Sequence, residues 1–275
     1  MGIIVRFGVC TNLIASKPDK TGMEYIEKLA DFGYDYVELP LDAVTDLSDA
    51  EFAALKERLT TVGIRSEVCC NFFPGWIRLT GPDADEEAAV AFAAKALRRA
   101  HELGTEVVGF GSANAKRVPE GFPYRAALSQ LVSVTRKIAP IAAEYGIVIA
   151  IEPIRRPRSN IITTFAEGAS HAEEIHQPNV KVEIDFFHMV SENESPSVLI
   201  DNKKWLAHVH IAKPILAEGK RVFPADPAEY EYAGFIETLR AVGYNERVSV
   251  EAPVSDFDAE APQSLAVLRS IFRAF

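Results

Sequence analysis

Five times along this 275-residue chain a helical pattern ends in glycine, and a short apolar strand follows within a few residues. The junctions are Asp31-Phe-Gly33 before 36–39, Thr61-Val-Gly63 before 64–70, Glu102-Leu-Gly104 before 107–110, Glu144-Tyr-Gly146 before 147–151, and Ala241-Val-Gly243 before 248–251. Glycine suits these places because the residue after a helix takes a left-handed backbone that side chains disfavour. Three further β-branched runs, at 3–9, 180–184 and 206–211, bring the expected strands to eight. Helical patterns separate them at 21–32, 48–62, 83–103, 124–145, 165–176, near 196–203, 228–242 and 259–272.

Strands that alternate with helices, mostly at a spacing of 25 to 45 residues, predict parallel pairing through right-handed crossovers. Eight such units match a single closed (β/α)8 barrel, the TIM barrel, whose usual length is about 250 residues. The rival, a doubly wound open sheet, usually carries a glycine-rich phosphate loop after its first strand, and Gly8-Val-Cys-Thr-Asn12 is not one. No linker or shift in composition divides the chain, so one domain over 1–275 is expected.

A formal charge of −10 argues against nucleic acid or an anionic membrane as the main partner. The start of the chain lacks the charged head and apolar core of a signal peptide, and no apolar run reaches the roughly 18 to 20 residues of a membrane span. Cys10, Cys69 and Cys70 are odd in number, and two are adjacent, so they predict free core thiols and a reducing cytoplasm rather than a disulfide framework. The sequence is compatible with a homo-oligomer.

In a barrel of this kind chemistry gathers where strands end. Four of the expected strands, the fifth to the eighth, end in Glu152, Asp185, His210 and Glu251. Each alone has a plain structural reading: Glu152 and Glu251 could close strands, Asp185 could cap a helix, and His188 could be a surface imidazole. Together they place three carboxylates beside one imidazole at the end of an apolar core. Carboxylates that converge without a cation repel one another. A Glu2AspHis donor set suits one divalent ion, Mn2+ first, with Mg2+, Co2+ or Zn2+ also able to bind. His208 shares a face with His210 and is expected to support it. Glu38, at the end of the second strand, is either a support of this kind or a loop anchor. Phe72, Phe73 and Trp76 could pack against the apolar face of a sugar near the mouth.

The motifs Ile151-Glu-Pro153, Asp185-Phe-Phe-His-Met189, Val209-His-Ile211 and Val250-Glu-Ala-Pro253 resemble those of the xylose-isomerase-like TIM barrels, the sugar phosphate isomerase/epimerase superfamily. Within it the chain is most similar to the ketose 3-epimerases of the tagatose/psicose type. Asn71-Phe-Phe-Pro-Gly75, Leu79-Thr-Gly-Pro82, Phe110-Gly-Ser112 and Arg117-Val-Pro-Glu-Gly121 extend the likeness over nearly the whole chain.

The resemblance implies a metal held by Glu152, Asp185, His210 and Glu251, with Glu152 and Glu251 also serving as the acid/base pair on opposite faces of the substrate carbon. It implies a substrate hydrogen bond from His188. The expected reaction is isomerisation or epimerisation of a sugar, sugar phosphate or sugar acid, through an enediolate stabilised by the metal. Two family positions depart from the pattern. Arg158 stands where a substrate-binding Glu is usual, and Leu216 where an Arg is usual, although Arg221 could replace the latter. A guanidinium favours an anionic substrate group. Alternatives are a dehydratase of the inosose or dehydroshikimate type, a non-catalytic sugar-binding barrel and, remotely, an apurinic-site endonuclease relative.

Overall fold

A computed structural model describes residues 5–273. Eight parallel strands close into a barrel in the order β1 (Arg6–Cys10), β2 (Tyr36–Pro40), β3 (Val68–Cys70), β4 (Val107–Phe110), β5 (Val148–Ile151), β6 (Val180–Asp185), β7 (Leu206–Ile211) and β10 (Arg247–Val250), which pairs back with β1. Between β7 and β10 lies a separate antiparallel hairpin, β8 (Lys213–Ile215) and β9 (Lys220–Val222). The expected barrel is therefore present. Ile3 and Ile4, with which the first expected strand opens, lie outside the described residues. The third strand is shorter than the apolar run 64–70, because only Val68–Cys70 pair with the neighbouring strands.

The main outer helices are α1 (Ile26–Phe32), α3 (Asp49–Val62), α4 (Glu86–Glu102), α6 (Tyr124–Glu144), α7 (Phe165–Ile175), α10 (Ala233–Ala241) and α11 (Phe257–Arg273). The junction glycines Gly33, Gly63, Gly104, Gly146 and Gly243 all have φ between 71° and 88°, the left-handed backbone their position demands. Helix starts are set by side chains. Ser48 and Glu51 form a reciprocal capping box on α3, and Asp85 caps α4, which starts three residues later than the expected 83. Short helices absent from the sequence pattern follow three strands: α2 (Leu41–Asp46), α5 (Ala113–Lys116) and α8 (Phe186–Ser191); the short helix expected near 196–203 is α9 (Val198–Asn202), before β7.

Two apolar layers result. The larger lies between the strands and the helices, and a smaller one of Tyr36, Val68, Val107 and Ala150 fills the lower lumen. Above it the lumen becomes polar. Tyr36 Oη lies 2.7 Å from Ser249 Oγ, and Glu38, His208 and Glu183 sit at the same depth, each fully buried. The pairing of β6 with β7 shifts register between Val182 and Glu183, which sets Glu183 opposite His208 and Asp185 opposite His210. Bulges of this kind re-aim side chains near functional sites.

Candidate metal centre and active site

The period-two alternation of the strands carries one side chain from each of four neighbours to the top of the lumen. Glu152 follows β5, Asp185 ends β6, His210 lies near the end of β7, and Glu251 follows β10. One donor atom from each of these four lies within 4.8 Å of the others. Asp185, His210 and Glu251 are buried and Glu152 is half-buried. Two of the donor atoms, His210 Nδ1 and Glu251 Oε2, lack a well-aligned hydrogen bond, although they are buried. Three carboxylates and one imidazole that converge in a largely buried set are a donor chemistry that a divalent cation suits, so these residues fit such an ion.

His210 is turned by what lies beneath it. Its Nε2 meets Glu38 Oε1 at 2.9 Å, which leaves Nδ1 facing the donor cluster. The same carboxylate takes His208 Nε2 at 3.0 Å and Ser249 Oγ at 2.5 Å. Burial alone would raise the Glu38 carboxyl, but His210 and His208 outweigh it and hold it well below the ordinary carboxylate range. Glu38 is thus a support of the site and not a loop anchor.

The carboxylates separate electrostatically. Burial, then the charges of Glu183 and Glu251, push Glu152 well above the ordinary range. Burial would also raise Glu251, but Arg221 and His210 more than offset it and draw it well below. Asn12 Nδ2 donates to Glu251 Oε1 at 2.7 Å.

Asp185 both caps α8 and joins the donor cluster. Its Oδ1 accepts from His188 N at 2.9 Å, while Oδ2 faces the site. The helix start therefore places His188, whose Nε2 is 3.8 Å from Glu152 Oε1. His188 is buried, so a surface role is ruled out, and burial lowers its imidazole to about 4. It is neutral near pH 7 and able to donate or accept one hydrogen bond.

A cavity of about 260 Å3 opens above these groups, lined among others by Asn71, Phe73, Ser112, Arg158, His188 and Arg221. Arg221 reaches in from β9. Its Nη1 is 2.5 Å from Asp185 Oδ2 and its Nη2 is 2.6 Å from Glu251 Oε2. Arg155 supports the hairpin by donating to Gly219 O at 3.0 Å, and Arg156 pairs with Glu192. Two aromatic expectations need correction. Phe72 is wholly buried against Phe73 and Phe110, so Phe73 is the ring that lines the cavity. Trp76 is 68% exposed, packs edge-on to Phe92, and does not line the cavity.

Sequence reasoning missed several site residues. Glu183 is two residues before Asp185, and strand alternation alone puts both on one face. Lys116, on the four-residue α5, is buried and donates to Phe110 O and Glu152 O at 3.0 and 3.1 Å. Burial lowers its ammonium to about 8 against the pull of Glu152 and Glu183. No periodic signal marks so short a helix. Asn12 and Ser112 did stand at recognised strand ends, and only their contacts were hidden.

Residues 26–271 match the family model of the xylose isomerase-like TIM barrel. The chain is 26% identical to an L-ribulose 3-epimerase of Methylomonas sp. (strain DH-1), over 87% of this chain and 82% of that protein. It is 27% identical to a 3-dehydro-D-guloside 4-epimerase of Escherichia coli (strain K12), over 90% and 94%. Among solved structures, a D-psicose 3-epimerase crystallised in the presence of D-fructose superposes with a TM-score of 0.85 at 23% identity, covering 98% of this chain and 99% of that one.

Proposed function

Because this chain belongs to the xylose isomerase-like TIM-barrel family, we propose that it is a divalent-metal-dependent sugar isomerase or epimerase that works by proton transfer. The observation that carries this reading is the convergence of Glu152, Asp185, His210 and Glu251 within 4.8 Å beneath a polar cavity. The epimerase names of the relatives point the same way. These four residues would hold the ion, Mn2+ being the first candidate. When bound, it supplies positive charge where a substrate oxygen becomes negative as a proton leaves the neighbouring carbon.

The chain's own residues do the rest. Glu152 and Glu251 approach from different strands, so one can remove the proton and the other return one to the opposite face. His188, buried and neutral, orients a substrate oxygen beside Glu152. Arg221 lies between Asp185 and Glu251 and is placed to touch substrate at the same spot. Arg158 lines the cavity, is exposed, and makes no side-chain ion pair among the described residues. It supports a substrate that carries a carboxylate or phosphate.

Incubation with Mn2+ and a panel of ketoses, ketose phosphates and keto sugar acids in D2O tests the reading. Deuterium should enter the carbon beside the carbonyl, and Glu152→Gln should stop it. Failure of every member of the panel to exchange, or exchange that persists unchanged in Glu152→Gln, would reject the proposal.

A further inference from the structure

We infer that Arg221 competes with the ion of this site, because its guanidinium and the ion take the same two carboxylate oxygens. The inference rests on the four-donor reading above and concerns what an ion must displace there. Asp185 and Glu251 each commit one oxygen to the fold. Asp185 Oδ1 accepts from His188 N at 2.9 Å, and Glu251 Oε1 accepts from Asn12 Nδ2 at 2.7 Å. The second oxygens lie nearest His210 Nδ1, at 3.9 Å for Asp185 Oδ2 and 3.4 Å for Glu251 Oε2. Arg221 binds this second pair, with Nη1 2.5 Å from Asp185 Oδ2 and Nη2 2.6 Å from Glu251 Oε2.

A divalent ion bonded to the same oxygens at about 2.1 Å would stand within a few ångströms of the guanidinium. Like charges that close repel strongly where little water screens them, and the Arg221 side chain is only 12% exposed. The two contacts of Arg221 are also unequal. Nη1 donates a well-aligned hydrogen bond to Asp185, whereas Glu251 Oε2 receives none despite the closeness of Nη2. A spherical ion needs no such alignment and can hold both oxygens, while the planar fork satisfies one of them.

Arg221 is mounted where it can give way. It lies on β9, which pairs with β8 in a hairpin outside the closed barrel that carries the four donors. The Phe187 ring, 5.4 Å from its guanidinium carbon, offers the cation a second, uncharged partner. Arg221 also lines the cavity, so the ion that displaces it from the carboxylates frees it to meet a negative substrate oxygen.

Titration calorimetry of Mn2+ into metal-stripped wild type, Arg221→Gln and Arg158→Gln provides the test, with circular dichroism to confirm folding. Arg221→Gln should bind Mn2+ at least about tenfold more tightly than wild type. Arg158→Gln removes the same charge from the same cavity without freeing a donor oxygen, and should change the affinity less than about threefold. Equal or weaker Mn2+ binding in folded Arg221→Gln would overturn the inference and leave Arg221 as a support that positions the carboxylates. Equal tightening in the two variants would also overturn it, since the general field of the cavity would then be the cause. Absence of Mn2+ binding in both wild type and Arg221→Gln would overturn the four-donor reading itself. Should Arg221→Gln fail to fold, Arg221→Lys keeps the charge but lacks the fork that spans both oxygens, and should still tighten Mn2+ at least about threefold.

Discussion

Glu38 and His210 are joined by a hydrogen bond of 2.9 Å at the buried centre of the barrel, and this contact decides which imidazole nitrogen faces the donor cluster. The first prediction follows from it. Glu38→Gln keeps the size of the side chain but removes the charge that favours a proton on Nε2. Outer partners of metal-binding histidines are worth about ten- to a hundredfold in metal affinity. Calorimetry should show Mn2+ binding weakened within that range, and unchanged binding would mean that His210 is not held by Glu38.

At the opposite end of the barrel, buried charge should serve stability alone. Glu67 is 1% exposed and meets Arg6 at 2.5 Å, Arg65 at 3.2 Å and Arg247 at 2.7 Å. Arg247 also reaches Glu106 at 2.5 Å. Glu67→Leu leaves Arg247 only Glu106 and the more distant Glu246, at 3.7 Å, and should cost about 3 kcal/mol, the low end for breaking a buried pair. Urea unfolding measures the loss. Turnover per folded molecule should stay the same, since chemistry in a barrel of this kind sits at the opposite face, where the strands end. A selective fall in turnover would contradict that division.

How much of this was legible in the sequence depended on how local each determinant is. The five glycine junctions could be read because the left-handed position after a helix is a requirement of a few consecutive residues. Glu152, Asp185, His210 and Glu251 could be read because each ends an apolar strand, where a charged group has few other reasons to stand. Glu183 escaped notice although the same alternation aligns it with Asp185, because a single Glu inside a strand is equally compatible with a solvated face. The exchange of Phe72 for Phe73 has a backbone cause. Asn71 takes φ 49°, and this left-handed step just after β3 breaks the alternation that would assign faces to the two rings. Arg221 could be singled out from the sequence, but its placement between Asp185 and Glu251 depends on how the β8–β9 hairpin folds back, which no short pattern records.

His171 offers a prediction in pH. It is buried on α7, and burial, aided by Lys116, lowers its imidazole to about 4. In the unfolded chain it titrates near 6.5, so between those values the unfolded state binds a proton that the folded state refuses. The contribution to stability is complete above pH 6.5 and declines as pH falls toward 4. From about pH 7.5 to about pH 5 the loss should be roughly 2 kcal/mol, a ceiling set by linkage. Unfolding by urea at the two pH values, in wild type and His171→Leu, isolates this share, because the carboxylates of the site are common to both. Equal losses in the two proteins would show that His171 takes up its proton without cost.

Gly111 tests the role of Glu152 without altering Glu152. A Cβ at this position would stand 2.0 Å from Glu152 Oε2, 3.2 Å from its Cδ and 3.4 Å from Ile154 Cδ1. The backbone there is not in the left-handed region, so alanine introduces no torsional strain of its own. What must move is the end of a flexible side chain, which costs the fold little. The same movement shifts the oxygen that the proposed chemistry uses, and a displacement of about 1 Å at a reacting group can lower a rate about a hundredfold. Gly111→Ala should therefore melt close to wild type yet lose deuterium exchange into substrate by about that factor. Gly234→Ala is the control: nothing lies within 4 Å of its Cβ on α10, and it should gain up to about 1 kcal/mol of helix stability at full activity. Wild-type exchange in a folded Gly111→Ala would mean that Glu152 does not handle the proton.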